Sequence, residues 1–386
     1  MPKPLALHPT ACTLAPGSSA SSRWVQKTTT VRGGARLPER TGATATAVGR
    51  KVYVFGGQDP TRGVCFNDVV VLDCNSWEWS RLEVTGASPP PRSSHSACVV
   101  NGGRLLVVYG GAGEEDGPLG DVHVLDLREG AERWTRPRVG GQSPEPREMH
   151  AACMIPAAGL ALGCPPARDG NSGGGGDGGE GEKWSGDHEM MVVGGRGRGG
   201  VLRDVVVLDT RAMAWVRRGD AGRAICAHTA VPWVITRGAG ATGTGAALVF
   251  GGFTGAAVHG NELVTVEGST LTTGVLGSGT CVTEVEAGGG WAGLGAVAPE
   301  PRFAHAAVAL PPSMHMPRGA MLVFAGVTPA FDLNDLAMWV NEDPAAAPAA
   351  GAPSTAATVT VTAAVTAAAA TSPAPLPAAV PACDLD

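Results

Sequence analysis

The sequence predicts an all-β fold assembled from repeats, and three observations carry that prediction. One block recurs five times: an apolar run ending in a glycine pair, then an acid-led run rich in valine. The apolar runs are solid rather than alternating, which marks strands buried on both faces. A tryptophan follows the acid-led run in four of the five blocks. A unit of this length is one supersecondary element that cannot bury its own faces, so its neighbours must cover them.

In the first block, Val52 to Phe55 leads to Gly56 and Gly57, then to Asp68 and the run Val69–Asp73, then to Trp79. The second runs from Leu105 through Gly110 and Gly111 to Asp121 and Trp134. The third runs from Met190 through Gly194 and Gly195 to Asp204 and Trp215. The fourth runs from Ala247 through Gly251 and Gly252 to Glu262, with Trp291 as its downstream tryptophan. The fifth runs from Met321 to Gly326, with Ala325 in the first glycine slot, and on to Asp335. Each glycine pair ends a strand by adopting backbone angles closed to other residues.

A lead-in precedes each block. Pro91-Arg92, Pro146-Arg147 and Pro301-Arg302 are each followed three residues after the arginine by His95, His150 and His305. The fourth block keeps only His228; the first keeps Arg40 but has Ala43 in the histidine slot. One full unit therefore reads as four short strands separated by turn signals.

These glycine pairs, acid-led strands, tryptophans and Arg/His lead-ins resemble the kelch-repeat family of β-propellers, over residues from about 24 to 340. The resemblance implies five recognisable four-stranded blades. The fifth block has no downstream tryptophan, whereas Trp24 stands orphaned at the other end. The expectation is that the Trp24 strand completes the last blade and closes the ring, because an open array leaves an unpaired edge. The expected division is a disordered or targeting segment over 1–22, a propeller over 23–344 and an Ala/Pro/Thr-rich tail over 345–386. Residues 156–188 form a Gly- and acid-rich insertion expected to be disordered. In the tail, only Thr358 to Val365 has the composition of a strand.

Bulk properties narrow the function. A net charge of −6 supplies no general pull toward nucleic acid. No run approaches 18 apolar residues, so no membrane helix is expected. Nine scattered cysteines without a CxxC pair suit a reducing, cytoplasmic-type compartment. The first 38 residues carry Lys3, Arg23, Lys27, Arg32 and Arg36 and no acid, a composition shared with organelle-targeting peptides.

No enzyme chemistry is expected. Relatives of the copper-radical galactose oxidase class need a Tyr cross-linked to Cys, and the two tyrosines here, Tyr53 and Tyr109, fall in core slots. The Glu-x3-Asp-x3-His motif of iron-dependent specifier proteins is missing, as is any zinc-type His/Cys spacing. The glycine-rich run from Gly194 to Gly200 lacks the Lys-Ser/Thr of a phosphate loop. The recurring histidines are read as structural, and no cofactor or metal is expected.

The remaining constellation is cationic. Arg40, Arg92, Arg147 and Arg302 begin the lead-in strands, and Arg196, Arg198 and Arg203 lie in the connector after the third glycine pair. In BTB-kelch ubiquitin-ligase adaptors the corresponding face holds acidic peptides with arginine. The expectation is thus a non-catalytic scaffold whose protein partner offers an acidic segment. Two alternatives stand beside it. One is an accessory module of a ubiquitin ligase or an RNA-modifying methyltransferase; the other is a metal-dependent specifier-type lyase. Against the binding role of the lead-in arginines stands salt bridging to the recurring acids between blades.

Overall fold

The computed structural model describes residues 30–155, 188–235, 244–278, 301–310, 320–340 and 362–365, apart from 35–36, 259–261, 269, 272 and 329–331. Among them every regular element is a strand. Four four-stranded antiparallel meanders and a fifth sheet of three strands follow one another along the chain.

The first sheet comprises Ala43–Val48, Lys51–Phe55, Val69–Asp73 and Glu78–Arg81. The second comprises Ser96–Val100, Leu105–Tyr109, Val122–Asp126 and Arg133–Thr135. The third comprises Ala151–Met154, Glu189–Val193, Asp204–Asp209 and Ala214–Asp220. The fourth comprises Thr229–Ile235, Thr244–Phe250, Glu262–Glu267 and Thr273–Ser278. The fifth has Ala306–Leu310, Ala320–Val327 and Asp332–Val340.

The core lies between sheets, as the solid apolar runs require. Phe55 and Val71 of the first sheet pack with Leu106, Val108 and Trp134 of the second. Tyr109 and Val107 of the second meet Met190, Val192 and Trp215 of the third. Met191 and Val193 meet Val249 and Val264 of the fourth, and Phe250 meets Met321 and Val323 of the fifth. The glycine-ended strands of the second, third and fourth sheets are therefore covered on both faces, the packing of a propeller blade.

The sheets are also stitched by main-chain hydrogen bonds at two levels. The second glycine of each pair donates to the lead-in of the next sheet: Gly57 to Arg92 O at 2.8 Å, Gly111 to Arg147 O at 2.9 Å, Gly195 to Ile225 O at 2.7 Å and Gly252 to Arg302 O at 2.8 Å. The residue before each histidine slot donates back to its counterpart in the preceding sheet. Ser94 N reaches Gly42 O, Met149 N reaches Ser94 O, Ala227 N reaches Met149 O and Ala304 N reaches Ala227 O, at 2.8 to 3.0 Å. These five residues all have positive φ, between 52° and 62°. The first glycine of a pair is fixed by the same contact: a Cβ on Gly110 would lie 2.7 Å from Arg147 O.

Two-residue strands absent from the sequence reading add a fifth, parallel strand to three sheets. Thr85–Gly86 leaves the first sheet and pairs with Arg133 and Trp134 of the second. Gly140–Gly141 pairs with Ala214 and Trp215 of the third, and Thr30–Val31 with Glu78 and Trp79 of the first.

The fourth sheet corrects one expectation. Its outer strand is Thr273–Ser278, and Thr273 lies opposite Val266, as Trp79, Trp134 and Trp215 lie opposite Leu72, Leu125 and Leu208. Thr273 thus fills the slot assigned to Trp291, which itself lies outside the described residues. The chain turns early because Leu271, at φ 54°, is the counterpart of Trp77 and Met213, also left-handed. Burial of the tryptophans differs too: Trp134 is 1% and Trp215 8% exposed, whereas Trp79 is only half-buried. Trp24, nearly all of the 156–188 insertion and the tail other than Thr362–Val365 lie outside the described residues.

Candidate functional site

The lead-in segments and the connectors after the glycine pairs share one face, as expected from the topology. Isolated bridges join Thr41 to Gln58, Ser93 to Ala112, Glu148 to Arg196, Cys226 to Phe253 and Phe303 to Val327. What the lead-in arginines do there differs from the expectation.

Arg92 is fully buried, and its guanidinium is spent within its own sheet. Nη1 donates to Asp121 Oδ1 at 2.7 Å and to Gly110 O at 3.0 Å, Nη2 donates to Asp121 Oδ2 at 3.0 Å, and Nε donates to Pro90 O at 3.1 Å. Arg147 repeats this with Asp204, Gly194 O and Glu145 O. Arg40 does so with Asp68 at 2.8 Å and Gly56 O at 3.0 Å. Arg302 is likewise fully buried. The planar fork fits a carboxylate two-pronged, and such pairs are strong when desolvated. These four arginines therefore leave the partner-binding set. The ties of Arg40, Arg92 and Arg147 to acids run within a blade, not between blades, because arginine and acid flank the same glycine-ended strand.

Burial pushes the Asp121 carboxyl upward, but hydrogen bonds from His123 and Arg92 outweigh it and hold it well below the usual carboxylate range.

The histidines are ties as well, but between blades. His95 Nε2 lies 2.9 Å from Thr44 Oγ1 of the preceding sheet, His150 Nε2 2.8 Å from Ser96 Oγ, and His305 Nε2 2.8 Å from Thr229 Oγ1. The partner of Nε2 is in each case a side-chain hydroxyl. Burial, then the charge of the nearby arginine, pushes His95 and His305 down to about 3. His150 is pushed the same way by the same causes. Among the described residues, no three His, Cys, Asp or Glu side chains gather as metal ligands.

The solvent-facing charges lie in the connectors. Arg196, Arg198 and Arg203 are exposed on and beside the hairpin Arg196–Gly197/Gly200–Val201. Arg196 pairs with Glu148 at 2.5 Å, Arg203 with Asp220 at 2.8 Å, and Arg198 donates to Asp116 O at 3.3 Å. Sequence reasoning missed the acidic neighbour: Glu114, Glu115 and Asp116 are exposed in the adjoining hairpin of the second sheet. Glu114 also caps the Cys65 amide of the first sheet's connector. The signal was present, since three acids run consecutively in a slot whose counterpart in the third block is arginine-rich.

Comparison with known proteins agrees with this geometry. Residues 21–163 match the family model described as the KLHDC2/KLHL20/DRC7 Kelch-repeats domain. These are kelch repeats. The chain is 31% identical over 217 residues to acyl-CoA-binding domain-containing protein 4 of Arabidopsis thaliana, covering 56% of this chain and 27% of that protein. It is 38% identical over 138 residues to Adagio protein 3 of the same plant, covering 35% of this chain and 22% of that protein. It is 38% identical over 113 residues to dynein regulatory complex subunit 7 of Chlamydomonas reinhardtii, covering 29% and 10%. The kelch array thus corresponds to a quarter or less of the length of most such relatives, and their whole-protein activities are not transferred with it.

Proposed function

We propose that this kelch protein is a non-catalytic interaction module that holds a partner protein on the face carrying the connector hairpins. The observation behind this reading is a division of labour among the arginines. Those repeated from blade to blade are interior ties, whereas Arg196, Arg198 and Arg203 occur once and face solvent. Variable connectors on a rigid scaffold are where binding sites arise. The partner segment in this reading is acidic and contacts Arg198 and Arg203, with the Glu114–Asp116 hairpin fixing its direction by repelling its acidic end. The kinship with a protein named as a complex subunit favours a role inside an assembly, such as substrate recognition for an enzyme system.

The same reading takes residues 23–344 as the propeller and places the protein in the cytoplasm. It takes Trp24 as the outer strand that completes the fifth sheet. Support comes from phase: Trp24 precedes Thr30 by the same interval that separates Trp79 from Thr85 and Trp134 from Gly140, and all three later residues begin parallel edge strands.

The test is affinity recovery of partners with full-length protein and with an Arg198→Glu/Arg203→Glu variant, at low and at high salt. Exposed charges are screened at physiological ionic strength. Recovery should fall in the variant and in high salt while the melting temperature stays unchanged. Undiminished recovery by the variant overturns the assignment of this face.

A further inference from the structure

Four seams between successive sheets share one construction, and the seam between the fifth sheet and the first lacks it. Among the described residues, no hydrogen bond joins Gly42 N to Ala304 O, or Gly326 N to Arg40 O, the links every other seam makes. The side chains agree. Three of the other four seams pair a histidine with a hydroxyl and the fourth keeps the histidine, His228; the corresponding slots here are Ala43 and Ala306. Ala325 occupies the glycine slot that elsewhere clears the next blade's carbonyl. Trp79, whose counterparts are buried against the preceding sheet, is half-buried.

A strand stands at this seam instead. Thr362–Val365 pairs antiparallel with the inner edge of the first sheet, with Ala43 opposite Val365, Thr44 opposite Ala364, Ala45 opposite Ala363 and Thr46 opposite Thr362. It also lies against the inner strand of the fifth sheet, Ala306–Leu310. The inner strands of successive blades run the same way, so an antiparallel addition is not a further blade's first strand. It is an extra rung on an open inner edge.

We propose that this seam is a strand acceptor and that the chain's own Thr362–Val365 segment is its occupant, bridging the first and fifth sheets where direct contacts are missing. The edge offers unpaired main-chain groups, which extended peptide satisfies. The edge residues that the segment faces are themselves small, Ala43, Thr44, Ala45 and Thr46. The tail supplies what is needed. Between Pro353 and Pro373 it has no proline, and its Thr358–Thr366 run is built of Thr, Val and Ala. β-branched residues favour strands, and proline would break the ladder. The residues from Val340 to Thr362 reach the seam easily, since an extended chain spans about 3.3–3.6 Å per residue.

The test is a cross-link in the full-length protein. Ala45→Cys with Ala363→Cys places two thiols on opposed positions, and Ala45→Cys with Ala357→Cys is the off-register control. After mild oxidation, peptide mapping distinguishes the engineered bond from the native thiols. The 45–363 bond should exceed the control by about tenfold, as a held contact has a high effective concentration, and its yield should not change on dilution. Equal yields overturn the register and the occupant. A yield that falls on dilution, with cross-linked dimers, gives the slot to a second copy and overturns filling within one chain. Hydrogen exchange on the unmodified protein gives a check without substitution: amides in 362–365 should be protected relative to those after Pro373, and equal exchange overturns the proposal.

Discussion

Lowering the pH should loosen the propeller through its buried histidines well before its carboxylates titrate. His95 and His305 titrate at about 3 in the folded protein, against 6.5 in a free side chain. The folded state therefore refuses a proton that the unfolded chain accepts, and stability falls as pH drops through the unfolded value toward the folded one. At about pH 5 each such histidine removes about 2 kcal/mol relative to neutral pH, so the pair removes about 4 kcal/mol. That is a large part of a typical total of about 5–15 kcal/mol. His150 is shifted in the same direction and adds to the loss. Hydrogen-bonded carboxylates such as Asp59, Asp73 and Asp121 are shifted downward, so their contribution is lost only at pH below about 4. The assay is urea unfolding at a series of pH values between about 7 and 5, with wild type and His95→Gln. Glutamine cannot titrate and retains a donor toward Thr44. Between those pH values the variant should lose about 2 kcal/mol less than wild type. Equal acid sensitivity of the two proteins would refute the assignment of His95 as a buried neutral tie.

Removing one member of a blade lock should be costly. Arg92→Ala leaves Asp121 without its two-pronged partner and Gly110 O without a donor, and unfolding should become easier by about 3–5 kcal/mol. Arg92→Lys should recover little, since an ammonium cannot reproduce the fork; a fully stable lysine variant would contradict the geometry. Trp134→Ala, which empties a site 5.0 Å from Phe55, should cost about 3–5 kcal/mol. Trp79→Ala at the open seam should cost less than Trp134→Ala because part of its surface already meets water; equal losses would mean that this seam is packed like the others.

Much of the fold was legible because its strongest signals are local. A strand covered on both faces, such as Leu105–Tyr109, shows as an unbroken apolar run, and the glycine pair marks its end. The phase of Trp79, Trp134 and Trp215 could be read from spacing alone. Other parts were not legible for physical reasons. Thr85–Gly86 and Gly140–Gly141 are strands of two residues whose pairing is carried by main chain, so no side-chain period announces them. The outer strand of the fourth sheet was misplaced because Thr273 lacks the tryptophan of its counterparts, and the next tryptophan downstream drew the assignment to Trp291. The hydroxyls Thr44, Ser96 and Thr229 were visible, each directly after a histidine slot, but their partners sit one blade away and only the curved stacking of sheets brings them together.

Repetition itself separates scaffold from function in this chain. A residue that returns in each blade answers a demand that returns in each blade, and here that demand is internal. Arg40, Arg92 and Arg147 each neutralise the acid of their own sheet and satisfy a glycine carbonyl that would otherwise be buried without a donor. Removing water from such a pair is expensive, so the geometry must be kept wherever the pair occurs. A partner makes no such periodic demand. In the proposed reading it touches one sector of the connector face, and the residues that meet it answer to one place only. The Arg198 and Glu114–Asp116 hairpins satisfy that condition: adjoining, exposed, opposite in charge, and each found in a single blade. Specificity on this scaffold is therefore sought where the repeats differ, and stability where they agree.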